Sequence, residues 1–138
     1  MKTVDTWQQF GDEHAHSLAL SQALQASIQD LLARQNRMVL ALSGGQSPRA
    51  MMALLSQANL DWSRVTVQWV DERLLTRHHP DSNSELIEQA LLQHEAAQAQ
   101  WCNVLPLLDG EARVLDTAEQ QKVLQAALAA YQTPDIVV

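Results

Sequence analysis

Met38-Val39-Leu40-Ala41-Leu42-Ser43-Gly44-Gly45-Gln46-Ser47-Pro48-Arg49 is the stretch that decides the fold of this chain. Its first five residues are an unbroken apolar run, as in a strand buried on both faces of a parallel sheet. Gly44-Gly45 stops the run. Ser47 and Pro48 then read as the N-cap and first residue of a helix over about 48–57, because proline at the first helical position gives up an N–H that has no partner anyway. Strand, glycine turn and helix make the opening of a βα unit.

The flanking sequence repeats the pattern. Over residues 12–35, Leu18, Ala19, Leu24, Ile28, Leu31 and Leu32 recur at helical spacing with polar residues between them. Asn59-Leu60-Asp61 breaks the helix after the glycines, and Val65-Thr66-Val67-Gln68-Trp69-Val70 is a second strand by its β-branched and apolar content. A polar loop carrying Arg77, His78 and His79 leads to Pro80-Asp81-Ser82-Asn83, a turn that caps a helix over about 84–94. Asn103-Val104-Leu105-Pro106-Leu107 reads as a further short strand. The spacing of Val123, Leu124, Ala127, Leu128 and Tyr131 predicts a helix over 117–131, ended by Thr133-Pro134, and Asp135-Ile136-Val137-Val138 begins another strand. Alternating strands and helices imply an α/β fold, Rossmann-like in the broad sense, with three layers and a mainly parallel sheet. One α/β unit over 1–138 is expected, without repeats or low-complexity linkers. A last strand with no loop after it predicts truncation, because functional groups in such sheets sit on loops beyond the carboxyl ends of strands.

Composition narrows the function. The chain has 138 residues, of which 46% are hydrophobic, enough for a core. A net charge of -7, with nine Lys and Arg scattered among 16 Asp and Glu, argues against a nucleic-acid surface. No stretch approaches the ~20 apolar residues of a membrane span, nor does the N-terminus carry the apolar core of a signal peptide, so a cytoplasmic setting is expected. Cys102 is the single cysteine, without a partner for an internal disulfide or a metal-type spacing. It reads as a structural thiol.

Two segments carry chemistry. A helix N-terminus presents partial positive charge and unpaired N–H groups, and glycines allow close backbone approach, so Gly44, Gly45, Gln46 and Ser47 are suited to cradle a phosphate. A plain tight turn explains the same glycines. The stretch is neither a Walker A loop nor a G-x-G-x-x-G fingerprint, and nucleotide binding is unsupported. In the second segment, Asp71-Glu72-Arg73 at the end of a strand, Arg73 is a candidate for a bidentate phosphate contact. Arg49, in the first turn of the glycine-loop helix, either assists it or is a solvated side chain. Asp71 and Glu72 point to opposite faces of an extended chain and do not form a catalytic dyad. Asp71 is a candidate to orient Arg73 or a substrate hydroxyl, and Glu72 is an exposed carboxylate or a structural acceptor. His78-His79 lacks the companions of a metal site; His79 is expected to structure its loop, Asp81, Ser82 and Asn83 to shape the turn and cap the helix, and His14 and His16 to lie on the surface. Trp7, Trp62, Trp69 and Trp101 form no stacking series and read as packing residues. A phosphosugar site is the reading that unites the two segments.

The order Leu42-Ser43-Gly44-Gly45-x-Ser47-Pro48-Arg49, Leu60-Asp61-Trp62-Ser63-Arg64-Val65, Asp71-Glu72-Arg73 and His79-Pro80-Asp81-Ser82-Asn83 resembles the 6-phosphogluconolactonase family, relatives of glucosamine-6-phosphate deaminase and ribose-5-phosphate isomerase. The resemblance implies a hydrolase of carbohydrate metabolism that converts 6-phospho-D-glucono-1,5-lactone to 6-phospho-D-gluconate in the oxidative pentose phosphate pathway, with no metal or organic cofactor. It implies that Gly44, Gly45 and Arg73 help to hold the phosphorylated lactone. Gln46 stands where the family more often has Ser, and Arg49 where Lys is common. Family members continue past the strand matched by 135–138 into a Gly-Met-Gly-x-Asp-Gly-His-Thr-type loop, whose histidine is thought to activate water. The expectation is therefore that this segment alone is a poor or inactive lactonase, that its catalytic base lies beyond Val138, and that its partner is the C-terminal remainder of the same unit. The competing readings are a deaminase or isomerase of an amino-sugar phosphate, in which an aromatic residue usually follows Asp-Glu, and a non-catalytic phosphosugar-binding module.

Overall fold

The computed structural model describes residues 7–75, 78–103 and 116–138. Helix α1 (Glu13–Arg34) leads into strand β1 (Met38–Leu42), α2 (Ser47–Leu55), β2 (Val65–Trp69), α3 (Asn83–Ala90), β3 (Gln100–Trp101), α4 (Thr117–Ala130) and β4 (Ile136–Val137). The four strands form one parallel sheet in the order β3-β2-β1-β4. From β1 the chain steps outward to β2 and β3, then returns to pair β4 on the other side of β1. That reversal makes the carboxyl end of β1 the topological switch point, where open α/β sheets bind their ligands. Gly44-Gly45 follows it directly.

Strand alternation sorts the side chains between two layers. Met38, Leu40 and Leu42 of β1 join Val65, Val67 and Trp69 of β2 in one buried cluster with Leu24, Ile28 and Leu32 of α1, Met51, Met52 and Leu55 of α2, and Ile87 of α3. Thr66 and Gln68 face the other way. Gln68 is fully buried, and its amide donates to the carbonyl of Gln132 at 2.6 Å and accepts from the Gln132 N–H at 3.2 Å, so the segment leaving α4 is tied to the opposite face. The three-layer parallel α/β arrangement agrees with the sequence reading.

Several boundaries and faces differ from the sequence expectation. The buried stripe of α1 runs Ser17, Ser21, Leu24, Ile28 and Leu32, while Leu18 is exposed. The small serines face inward at the end of α1 near the glycine loop. Helix α3 stops at Ala90 instead of reaching 94, because the backbone turns at Leu91 and passes through a left-handed His94 into a 3-10 turn. Leu91 and Ala96 stay buried from this turn, so the apolar pattern continues where the helix does not. Strand β3 lies before the expected segment: Thr66 and Val67 pair with Gln100 and Trp101, and the Cys102 N–H donates to Val67 O at 2.8 Å. Residues 104–107 of the expected strand lie outside the described residues. Of the expected face of α4 only Val123 is buried; Leu124, Leu128 and Tyr131 are exposed.

Arg64, in the 3-10 turn Trp62–Arg64, closes the C-terminus of α1 from 28 residues or more away. Its guanidinium donates to the carbonyls of Leu32 (2.6 Å), Gln35 (2.8 Å) and Asn36 (2.7 Å), a cation placed where the helix dipole favours one. Trp62 beside it is buried, its indole N–H on Ala58 O at 3.0 Å. Arg64→Met keeps the aliphatic stem and removes the donors. Urea unfolding of this variant is expected to show a loss of about 1–2 kcal/mol with the m-value unchanged; an unmoved midpoint would show that water satisfies those carbonyls equally well.

Candidate functional site

Strands β1 and β2 are in register through Leu42 and Trp69, so the loops that leave them lie side by side. After β1, Gly45 adopts a φ of +107°, a conformation that suits glycine. The chain consequently enters helical geometry one residue earlier than expected. Gln46 is the N-cap with φ -75° and ψ -36°, Ser47 is already helical, and no side chain caps α2. The expectation of a Ser47 cap is thereby corrected, and the first N–H groups of α2 keep no side-chain partner.

Gly44 is required for a different reason. A Cβ built there would lie 1.8 Å from Asn83 Oδ1 and 2.2 Å from Asn83 Cγ. Asn83 is buried, and its Nδ2 donates to the backbone oxygen of Asp71 at 2.9 Å and, at 3.4 Å, to the Asp71 carboxylate. The loop after β1 therefore rests on a side chain that is itself bound to the loop after β2.

Glu72 organises that second loop. Its Oε1 accepts from the N–H groups of Arg73 (2.8 Å) and Asn83 (2.7 Å), and its Oε2 from the Ser84 N–H (2.6 Å) and the Ser82 hydroxyl (2.9 Å). Of the two readings open for Glu72, the structural acceptor is the one observed: it binds the N-terminus of α3, where a carboxylate is favoured. Ser82 is the N-cap, accepting from the Glu85 N–H at 3.3 Å. His79 Nδ1 accepts from the Asp81 N–H at 3.1 Å, so it structures the loop as anticipated. Arg73 Nη1 donates to Asp81 O at 2.6 Å. The guanidinium is thus steadied by a carbonyl of the turn, while the exposed Asp71 carboxylate is engaged with Asn83.

Gly45, Gln46, Arg49, Arg73, His78 and Asn83 are among the residues that line one cavity of about 410 Å³ between the two loops. Gly44 and Ser47 border an adjoining apolar cavity of about 240 Å³ with Ser43, Met51 and Val138. Four of the six residues singled out for binding therefore meet in one cavity and two stand next to it. The same wall of the first cavity holds Glu85 and Gln89, which sequence reasoning passed over because on a helix they read as ordinary solvated polar residues. Among the described residues, no three His, Cys, Asp or Glu side chains gather as metal ligands would.

The double-mutant test of the loop contact follows directly. Gly44→Ala is expected to cost about 1–3 kcal/mol, the range for overpacking a filled site. In an Asn83→Ala background, which clears the obstructing amide, the same change should cost much less, and the difference appears as a coupling energy in thermal or urea unfolding. Additive costs would show that Gly44 is needed for something other than Asn83.

Comparison with known proteins gives this geometry its family. The family model for glucosamine-6-phosphate isomerases/6-phosphogluconolactonase matches residues 11–138. A 6-phosphogluconolactonase of Neisseria meningitidis serogroup A is 32% identical over 132 residues, covering 96% of this chain and 55% of the relative. One from Pseudomonas aeruginosa is 43% identical over 89 residues, covering 64% of this chain and 37% of the relative. Among solved structures, a Neisseria gonorrhoeae FA 1090 protein assigned to 6-phosphogluconolactonase superposes with a TM-score of 0.85 at 31% identity, over 96% of this chain and 55% of that one. A Shewanella baltica OS155 structure at 23% identity and a TM-score of 0.76, over 93% of this chain and 53% of that one, shares the fold. The chain spans about half the length of the meningococcal relative and less of the Pseudomonas one. With the family model matched from Gly11 to Val138, the chain belongs to the glucosamine-6-phosphate isomerase/6-phosphogluconolactonase family.

Proposed function

We propose that this chain carries the phosphosugar-holding part of a 6-phosphogluconolactonase, and that the whole protein hydrolyses 6-phospho-D-glucono-1,5-lactone to 6-phospho-D-gluconate. The observation that carries the reading is the meeting of Gly45, Gln46, Arg49 and Arg73 on one cavity beyond the carboxyl ends of β1 and β2, in a chain of this family.

The phosphate takes the place of the missing cap. With no side chain on the start of α2, the N–H groups around Gly44, Gly45, Gln46 and Ser47 are donors for phosphate oxygens, and the helix dipole adds to their attraction. Arg73 has one guanidinium nitrogen on Asp81, which fixes the fork and leaves further donors for the phosphate. Arg49 is a cation in the first turn of α2, where it opposes the dipole; a bound phosphate turns that repulsion into an attraction. Asp71, an exposed carboxylate at the end of β2 beside Asn83, is the proposed orienting residue for a sugar hydroxyl.

In the reaction, water adds to the lactone carbonyl, the ring C–O bond breaks and the ring oxygen leaves as a hydroxyl, so lactone and water account for every atom of the product. General-base assistance to such a step is worth about 10²–10⁴ in rate. No residue described in the cavity is assigned that role, and the base is proposed to come from the remainder of the family unit. That remainder is also the proposed partner for the exposed Leu124, Leu128 and Tyr131 of α4 and for Val137 of β4. A cytoplasmic setting without nucleic-acid or membrane partners completes the proposal; no helix among the described residues is long and apolar enough to cross a membrane.

Two measurements test the reading. Calorimetric titration with 6-phosphogluconate is expected to show binding by this chain and a loss of about 10-fold or more in Arg73→Ala, from one charge-assisted contact. Acid release from freshly made lactone, corrected for spontaneous hydrolysis, is expected from a chain extended to the full family length. Absence of binding together with absence of acid release would overturn the proposal, and ammonia release from glucosamine 6-phosphate in its place would substitute the other activity named for the family.

A further inference from the structure

The α3 side of the cavity has its own order. His78 Nδ1 lies 2.8 Å from Glu85 Oε2, and Gln89 Nε2 donates to Glu85 Oε1 at 2.6 Å. All three side chains line the cavity that Arg49 and Arg73 enter. Glu85 sits in the first turn of α3 with Gln89 one turn later, so both carboxylate oxygens are engaged and the group is held in place.

An ionised carboxylate only accepts hydrogen bonds. A neutral His78 ring facing Glu85 must therefore carry its proton on Nδ1, which leaves Nε2 as an acceptor. Among the described residues no second partner occupies the ring, and the side chain is 62% exposed. The backbone of His78 is also held in the left-handed region at φ 65°, a conformation unfavourable for a residue with a Cβ. Strain of this kind gathers where a side chain must be presented in one direction.

We propose that His78 reads a hydroxyl of the bound phosphosugar: its Nε2 accepts a hydrogen bond from a sugar O–H, with Glu85, braced by Gln89, as the positioning residue that sets the tautomer. The inference rests on the phosphosugar reading of the cavity and adds a specificity element to it. The phosphate donors supply affinity that any phosphate monoester shares, whereas this wall distinguishes a hydroxylated chain from phosphate alone, since a site built to pair with a hydroxyl discriminates against ligands that lack it.

The test uses this chain and two ligands, 6-phosphogluconate and inorganic phosphate, in calorimetric titrations. His78→Gly suits the left-handed backbone and removes the ring; His78→Gln returns an acceptor at similar reach. The glycine variant is expected to bind 6-phosphogluconate about 3- to 12-fold more weakly, the upper part of the range for one hydrogen bond, with phosphate affinity within about twofold and most of the loss recovered in the glutamine variant. Nitrogen NMR of the imidazole is expected to show the Nδ1–H form in the native chain and the Nε2–H form in Glu85→Ala. Unchanged 6-phosphogluconate binding in His78→Gly, equal weakening of both ligands, or an Nε2–H ring in the native chain would overturn the inference while leaving the phosphosugar reading intact. A native chain that binds neither ligand would overturn both.

Discussion

The carboxylate of Glu72 is the fixed point of this site. It collects four donors from two segments, Arg73 on one side and Ser82, Asn83 and Ser84 on the other. A carboxylate accepting backbone N–H groups makes shorter and stronger bonds than a neutral acceptor does. Here they join the end of β2 to the start of α3. With α3 held, Asn83 is held, and its side chain sets the height of the loop after β1 through the space left at Gly44. One acidic residue thus fixes the relative position of both loops that line the cavity.

The sheet supplies the other half of that constraint. Because Met38–Leu42 and Val65–Trp69 pair residue for residue, the two strands end at one level. The ladder carries on past their ends, with the Val70 N–H on Leu42 O at 2.9 Å and the Ser43 N–H on Val138 O. Neighbouring contacts at the opposite end keep the register from slipping: Asp135 accepts from the Val39 N–H at 2.8 Å and from Gln35 Nε2 at 3.1 Å, and Arg64 closes α1. A one-residue slip would turn Leu40 and Val67 away from the cluster they fill. The core therefore protects the geometry of loops that lie beyond it.

What was legible in the sequence was whatever depends on local pattern. The run from Met38 to Leu42, the helix between Asp12 and Gln35 and the cap at Ser82 were readable because strand burial, helical periodicity and capping each act over a few residues. The less legible features depend on distant partners. Nothing near Arg64 in sequence announces three carbonyls at the end of α1, and nothing near Gly44 announces Asn83. The glycine pair reads as one device, yet Gly45 serves a positive φ and Gly44 serves a side chain 39 positions away. The strand at Gln100–Trp101 is less legible because Trp101, amphipathic and half-buried, gives a weaker strand signal than the valine and leucines after it. The face of α4 reads too broadly, since Leu124 and Leu128 share the helical period with Val123 and Ala127 but stay exposed where Val123 is buried.

Saturation of hydrogen-bonding capacity finally separates the polar groups that build the site from those that remain for a ligand. Glu72 and Ser82 use their side-chain oxygens on each other and on the backbone, Asn83 donates its amide to Asp71, and all three are at least partly buried. Arg73 is steadied through one nitrogen, His78 through one, and Arg49 has no side-chain bond among the described residues. Arg49, Arg73 and His78 keep capacity for a ligand and line the same cavity as the uncapped end of α2, together with the exposed carboxylate of Asp81. A hydrogen-bonded layer that supports groups with capacity to spare is what preorganisation requires: the supporting bonds are made before the ligand arrives, so binding has less of the loops to order. In a chain with a net charge of -7, that arrangement also answers how an acidic protein holds an anion. Its overall charge opposes binding at long range, but within the ~8–10 Å over which salt leaves charges unscreened the two arginines and the helix end act locally, with Glu85 engaged by His78 and Gln89.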